Sequence, residues 1–140
     1  MSRRLFSAGL VAAALACSAC NNNGQYPVSG KGTYHGEPAA GATVTFIRKG
    51  SADRFAETTP QGVVQEDGTF TLSGPAGNGA PPGEYAVLVE WKEGAGAKRG
   101  RAPALNAPDR LKRKYLDADK PLLTATVEPK TNALPPFELK

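Results

Sequence analysis

Glu84-Tyr85-Ala86-Val87-Leu88-Val89-Glu90-Trp91 is the stretch that decides the fold. Tyr85, Val87, Val89 and Trp91 share one face of an extended chain, the period-two pattern of a β-strand. Ala86 and Leu88 make the second face apolar as well, which marks a strand covered on both sides and hence central. The alternation recurs outward from it. Val44 and Phe46 alternate with Thr43 and Thr45, and Phe70 and Leu72 with Thr69 and Thr71. Leu123, Ala125 and Val127 alternate with Thr124, Thr126 and Glu128, and Phe137 and Leu139 with Glu138 and Lys140. In the first run Val28, Gly30, Gly32 and Tyr34 share one face, while Ser29, Lys31 and Thr33 share the other.

Turn signals separate these runs. Gly36 and Pro38 end the first one. Glu66-Asp67-Gly68 lies between Val63-Val64 and Phe70, a hairpin signal, because glycine accepts the positive φ that such a turn requires. Pro135 and Pro136 suit an edge strand or its first residues. Sixteen glycines and twelve prolines leave room for many turns and few long helices. Residues 51–60 and 73–83 read as loops. Residues 92–108, glycine-rich, basic and without apolar periodicity, read as a long mobile loop. Pro108-Asp109 opens at most one short helix over 109–116, where Leu111 and Tyr115 stand four apart. The expected fold is all-β, an antiparallel β-sandwich of about seven short strands. One domain over 26–140 is expected to bury roughly fifteen apolar side chains, at about 1.5–3 kcal/mol each.

The first nineteen residues read as a leader. Arg3 and Arg4 are followed by an uncharged, apolar run over 5–16 and then by Cys17 and Cys20. A basic start, a short apolar stretch and small residues before a break describe an export signal. The run is shorter than the ~20 residues a bilayer-spanning helix needs. A cysteine at the break resembles the lipobox of bacterial lipoproteins, in which that cysteine is acylated and becomes the mature N-terminus. Cys17 and Cys20 are both candidates, with cleavage before one or the other. Neither has the usual leucine three residues earlier: Ser18-Ala19 favours Cys20, and the cysteine three before Cys20 favours Cys17. Ser2-Arg3-Arg4-Leu5-Phe6 also resembles the start of a twin-arginine signal. Residues 20–25 are polar and read as a tether. The expected location is the cell envelope, on a membrane facing the periplasm or the exterior.

Removing Arg3 and Arg4 with the leader lowers the formal charge from +4 to +2. That balance gives no global argument for nucleic acid. The cysteines stand at the leader boundary, so neither a disulfide nor a cysteine metal site is expected inside the domain. His35, the one histidine, would have to serve any Ser-His-Asp triad, yet it stands beside a turn glycine. Zinc requires three or four ligands, and one histidine does not supply them. Asp117-Ala118-Asp119 lacks the glycine and distal glutamate of a calcium loop and reads as a turn. Gly74-Pro75-Ala76-Gly77 and Gly94-Ala95-Gly96 lack the Lys-Ser/Thr pair that follows a phosphate loop. No catalytic residue, metal or cofactor is expected.

One cluster reads either as a solvated loop kept soluble by its charge or as a contact for a partner. Lys98, Arg99, Arg101, Arg110, Lys112, Arg113 and Lys114 follow Lys92 with Glu93 and Asp109 in opposition. Such a cluster suits an anionic envelope polymer, a headgroup surface or an acidic envelope protein. Trp91 and Tyr115 are the aromatics that a carbohydrate-binding accessory module would use for stacking on sugars, and core packing explains both adequately.

Several segments resemble carboxypeptidase regulatory-like domains. They are Tyr26-Pro27-Val28-Ser29-Gly30, Gly36-Glu37-Pro38-Ala39-Ala40-Gly41-Ala42-Thr43-Val44-Thr45-Phe46, Asp67-Gly68-Thr69-Phe70-Thr71-Leu72 and Pro82-Gly83-Glu84-Tyr85-Ala86-Val87. Lys114-Tyr115-Leu116-Asp117, Leu123-Thr124-Ala125-Thr126-Val127 and Leu134-Pro135-Pro136-Phe137-Glu138-Leu139 are similar to small bacterial envelope lipoproteins that carry this domain. The resemblance covers almost all of the chain after the leader, with 92–108 the least similar part. It implies a transthyretin-like (prealbumin-like) sandwich serving as a non-catalytic binding or structural module. It carries over no catalytic residue.

Overall fold

The computed structural model describes residues 24–51, 59–96 and 102–140. The leader, Cys17 and Cys20 lie outside these residues, as do Lys98, Arg99 and Arg101. Two sheets pack face to face. The first is built on β1 (Val28–Tyr34), which pairs with β2 (Glu37–Pro38) and β5 (Thr69–Thr71) and with two C-terminal strands, β10 (Asn132–Ala133) and β11 (Phe137–Leu139). The second runs in the order β7 (Gly77–Asn78), β6 (Ser73–Gly74), β4 (Gln61–Val63), β3 (Thr43–Arg48), β8 (Gly83–Glu90), β9 (Leu123–Val127). Among the described residues there is no helix. The all-β sandwich is therefore as expected, and β1, β3, β4, β5, β8, β9 and β11 are its strands of three residues or more.

The sandwich departs from a purely antiparallel one at β1. Both β10 and β11 run parallel to it. They reach the first sheet from the second, after β9, and so enter along β1 in its own direction. The signal at Asp67-Gly68 also resolves differently from a hairpin within one sheet. Gly68 has the expected positive φ of 84°. The turn closes locally, with Gly68 N–H donating to Gln65 C=O and Gln65 N–H to Thr69 C=O. Yet β4 pairs with β3 and β6, while β5 pairs with β1, so this turn carries the chain from one sheet to the other.

The core lies where the apolar alternation put it. Val28, Phe70, Leu72, Phe137 and Leu139 meet Val44, Phe46, Tyr85, Val87, Val89 and Val127, all buried. β8 is flanked by β3 and β9, as a strand with two apolar faces requires. The glycines on the inner face of β1 have a packing role: a Cβ on Gly30 would stand 2.7 Å from the Phe70 ring. Phe70 in turn stacks on Phe137 at 5.9 Å.

The two ends of the sandwich differ. Gly24, Gln25 and Tyr26 enter beside Ala80, with Tyr26 and Ala80 exchanging backbone hydrogen bonds of 2.9 and 3.0 Å. β8 starts at this end, and Arg48 pairs there with Tyr85. Tyr34, at the close of β1, and Trp91, just after β8, meet at the opposite end with ring centroids 5.6 Å apart. At about 3.3 Å per residue the two ends are separated by roughly 20 Å along β1.

Candidate functional site: a cationic end held by Trp91 and Asp109

Trp91 continues the buried face of β8, and only 6% of it is exposed. Its indole N–H donates to Ala40 C=O at 2.9 Å, tying the second sheet to the 39–42 turn. Past Trp91 the chain loops out and returns as a short antiparallel bridge between Lys92 and Asp109. Glu93 N–H donates to Pro108 C=O, and Arg110 N–H to Trp91 C=O at 2.7 Å.

The 92–108 loop is therefore closed at its base, and the expectation of a wholly mobile segment is corrected for its described parts. Gly96 and Gly41 are packed back to back. A Cβ on Gly96 would collide with Ala40 C=O, and one on Gly41 with the Gly96 N–H. Ala95 packs against the core. This anchoring works through backbone contacts between glycines, which apolar periodicity does not reveal.

Asp109 organises the returning strand. One carboxylate oxygen accepts the N–H groups of Trp91 (2.9 Å) and Leu111 (3.2 Å), and the other accepts Arg113 N–H (2.7 Å). The bond to Leu111 is one that a helix-capping aspartate would make, but the bond to Arg113 reaches four residues on, and no helix follows. Lys112 and Arg113 take positive φ values of 52° and 61°. Two consecutive left-handed residues cost about 1 kcal/mol each and end right-handed winding. The segment allowed for one short helix, 109–116, is instead a chain of turns, with Lys112, Lys114 and Leu116 N–H groups each donating three residues back. It buries Leu111 and Tyr115 and leaves the cations outside.

Arg110, Lys112, Arg113 and Lys114 are all exposed. The Arg110 guanidinium lies 3.8 Å from the centre of the Trp91 ring, a cation–π contact that fixes its plane. Lys114 lies over the Tyr115 ring at 5.7 Å and donates to Lys140 C=O at 3.3 Å. The Lys92 ammonium donates to Leu105 C=O at 3.3 Å. Leu105 itself is 96% exposed. Of the seven cations singled out in the sequence, four are thus gathered in one string of turns. Lys98, Arg99 and Arg101 lie outside the described residues. The pairing of Arg110 with Trp91, nineteen positions earlier, leaves no mark in the sequence.

The remaining candidates have structural explanations. His35 and Gly36, with φ of 51° and 86°, form the two-residue turn that joins β1 to β2; positive φ at both positions suits that hairpin. His35 is exposed and touches the Tyr34 ring edge-on. Asp117 accepts the N–H groups of Asp119 and Lys120, as a turn aspartate does. Asp67 accepts both the N–H and the hydroxyl of Thr69, which hold its carboxyl below its ordinary value of 3.8. Among the described residues no three His, Cys, Asp or Glu side chains gather as metal ligands. Both rings suited to stacking on a sugar, Trp91 and Tyr115, are buried.

At the other end a cavity of about 340 Å³ is lined by Phe46, Pro60, Pro75, Pro81 and Tyr85, with Gln25 and Arg48 among its polar groups. The Tyr85 hydroxyl donates to Pro81 C=O at 2.7 Å, and Arg48 to Pro82 C=O at 3.2 Å.

No protein-family model matches the sequence, and no curated protein matches it. Among solved structures, the chain is similar to a DUF3823 family protein from Parabacteroides merdae, with 15% identity and a TM-score of 0.42. That match covers 82% of this chain and 45% of the other, so the chain spans less than half the length of that protein.

Proposed function

We propose that the chain is a non-catalytic, lipid-anchored protein of the cell envelope. Its sandwich, of the carboxypeptidase regulatory-like kind, serves as a binding module. The single observation that supports this reading best is its polarity. The chain enters at Gly24–Tyr26, directly after the tether, while the exposed cations of 110–114 stand at the opposite end. A module fixed by one end and charged at the other is suited to hold something. The binding face is Arg110, Lys112, Arg113 and Lys114, with Lys98, Arg99 and Arg101 as further cations of the same loop.

Cell fractionation with mass spectrometry tests the anchor. The wild type is expected in membranes, with an acyl mass on Cys17 or Cys20, and the Cys17→Ser/Cys20→Ser variant in the soluble fraction. A wild type without acyl mass, whose double variant still follows the membranes, contradicts the reading.

A further inference from the structure

We infer that the cationic end docks onto an acidic protein surface held away from the anchoring membrane, with Leu105 as its apolar anchor. The inference takes its orientation from the proposed lipid anchor, and its chemistry from the site alone.

Three observations carry it. The first is distance. The cations sit roughly 20 Å from the chain entry by the length of β1, while exposed charges are screened beyond about 8 Å at physiological ionic strength. From Cys20 to Gly24 the tether reaches ~14 Å when fully extended, short of that separation, whereas from Cys17 it reaches ~25 Å. With Cys20 as the acylated residue, headgroups of the anchoring membrane are not what these cations address.

The second is preorganisation. Arg110 is immobilised over Trp91, and its backbone is bonded to Trp91 C=O. A guanidinium held by its face keeps its edge free, and that edge matches a carboxylate with two parallel hydrogen bonds. The one carboxylate in the string, Asp109, is occupied by three backbone N–H groups.

The third is Leu105. It is 96% exposed and joined through its carbonyl to Lys92, which itself bridges to Asp109 beside Arg110. A bare leucine beside Lys92 has no use on a polysaccharide or polyphosphate, which offers no apolar socket. An acidic protein surface supplies both a pocket and carboxylates, the usual division between an apolar centre and a charged rim.

The test is photo-crosslinking in intact cells with the full chain, carrying a photoreactive residue at position 105 and, as a control, at Ala76, which is exposed at the entry end. Position 105 is expected to capture a protein through an Asp/Glu-rich peptide, and position 76 is not. Arg110→Glu/Lys112→Glu/Arg113→Glu should lower that capture on the order of tenfold or more, with membrane fractionation unchanged and a cooperative melting transition retained. Leu105→Ser should lower it as well. Crosslinks to lipid or glycan, or protein capture indifferent to the charge reversal, overturn the inference. Charge-sensitive capture by a chain that fractionates as soluble would keep the docking surface and remove the anchor.

Discussion

The two ends of this sandwich are closed in different ways. At the entry end the incoming chain is seated mainly by backbone pairing. Tyr26 and Ala80 exchange hydrogen bonds, Gly79 lies so close to Tyr26 C=O that no Cβ fits, and Gln25 is buried. At the cationic end buried side chains are added to the backbone bonds and to the Gly41–Gly96 contact. Trp91 reaches Ala40, Asp109 gathers three N–H groups, and the Tyr115 hydroxyl accepts Lys140 N–H at 3.0 Å. A seat made of backbone pairing holds a tether and displays little. A seat with buried side chains fixes irregular turns in place and leaves Arg110, Lys112, Arg113 and Lys114 exposed. The difference makes the cationic end the more sensitive of the two to single substitutions.

The largest effect expected is from Trp91→Ala. Truncating a buried tryptophan typically costs about 3–5 kcal/mol, and here it also removes the bond to Ala40 and the platform under Arg110. Denaturant unfolding should read that loss. Native-state hydrogen exchange should show protection falling at Arg110 and Leu111 while Tyr26 and Ala80 keep theirs; a uniform fall would erase the contrast between the ends. Asp109→Ala comes next. It strands partly buried N–H groups, and losing hydrogen bonds to a charged acceptor costs about 1.5–3 kcal/mol. The same exchange experiment should place its effect on 110–114.

Gly68→Val provides the internal control. The Gln65–Gly68 turn is at the cationic end, since Gly32 N–H donates to Gly68 C=O, and a Cβ on Gly68 would meet Gly32 and Pro38. Forcing a β-branched residue to φ of 84° should cost roughly 1–3 kcal/mol and leave partner capture intact. An unchanged melting temperature would show that the position tolerates side chains freely. The smallest effect concerns Asp67. Its carboxyl is held below 3.8 by the Thr69 hydroxyl and N–H, so it contributes stability above its unfolded-state value that disappears as pH falls through the folded one. Asp67→Asn should be slightly less stable than the wild type near neutral pH, and the two should converge in acid below 3.8. A gap that persists there would assign the effect to something other than the carboxylate.

The sheets were readable from alternation because burial on one face leaves a period of two in the sequence. The β8 stretch shows it best: its second apolar face, Ala86 and Leu88, correctly marked a central position. Pairing partners were less readable, since Asp67-Gly68 fixes a turn but not which sheet the next strand joins. Parallel entry of β10 and β11 depends on the path of the whole chain and has no local signature. At the site, the exposed cations were legible as charges. What holds them was not. Asp109 was visible as a capping residue, but the left-handed Lys112 and Arg113 that stop a helix carry side chains common in helices. The stacking of Arg110 on Trp91 and the back-to-back Gly41 and Gly96 join residues far apart in sequence, through contacts that composition does not encode.

The opposition of tether and cations is the central claim, and depth quenching measures it directly. The acylated protein would be placed in vesicles with a fluorophore on a non-natural azide side chain at position 76, in the entry-end loop, or at position 105. A quencher in the lipid headgroups is expected to dim the dye at 76 strongly and the dye at 105 hardly at all. Equal quenching at both positions, or stronger quenching at 105, would contradict the account.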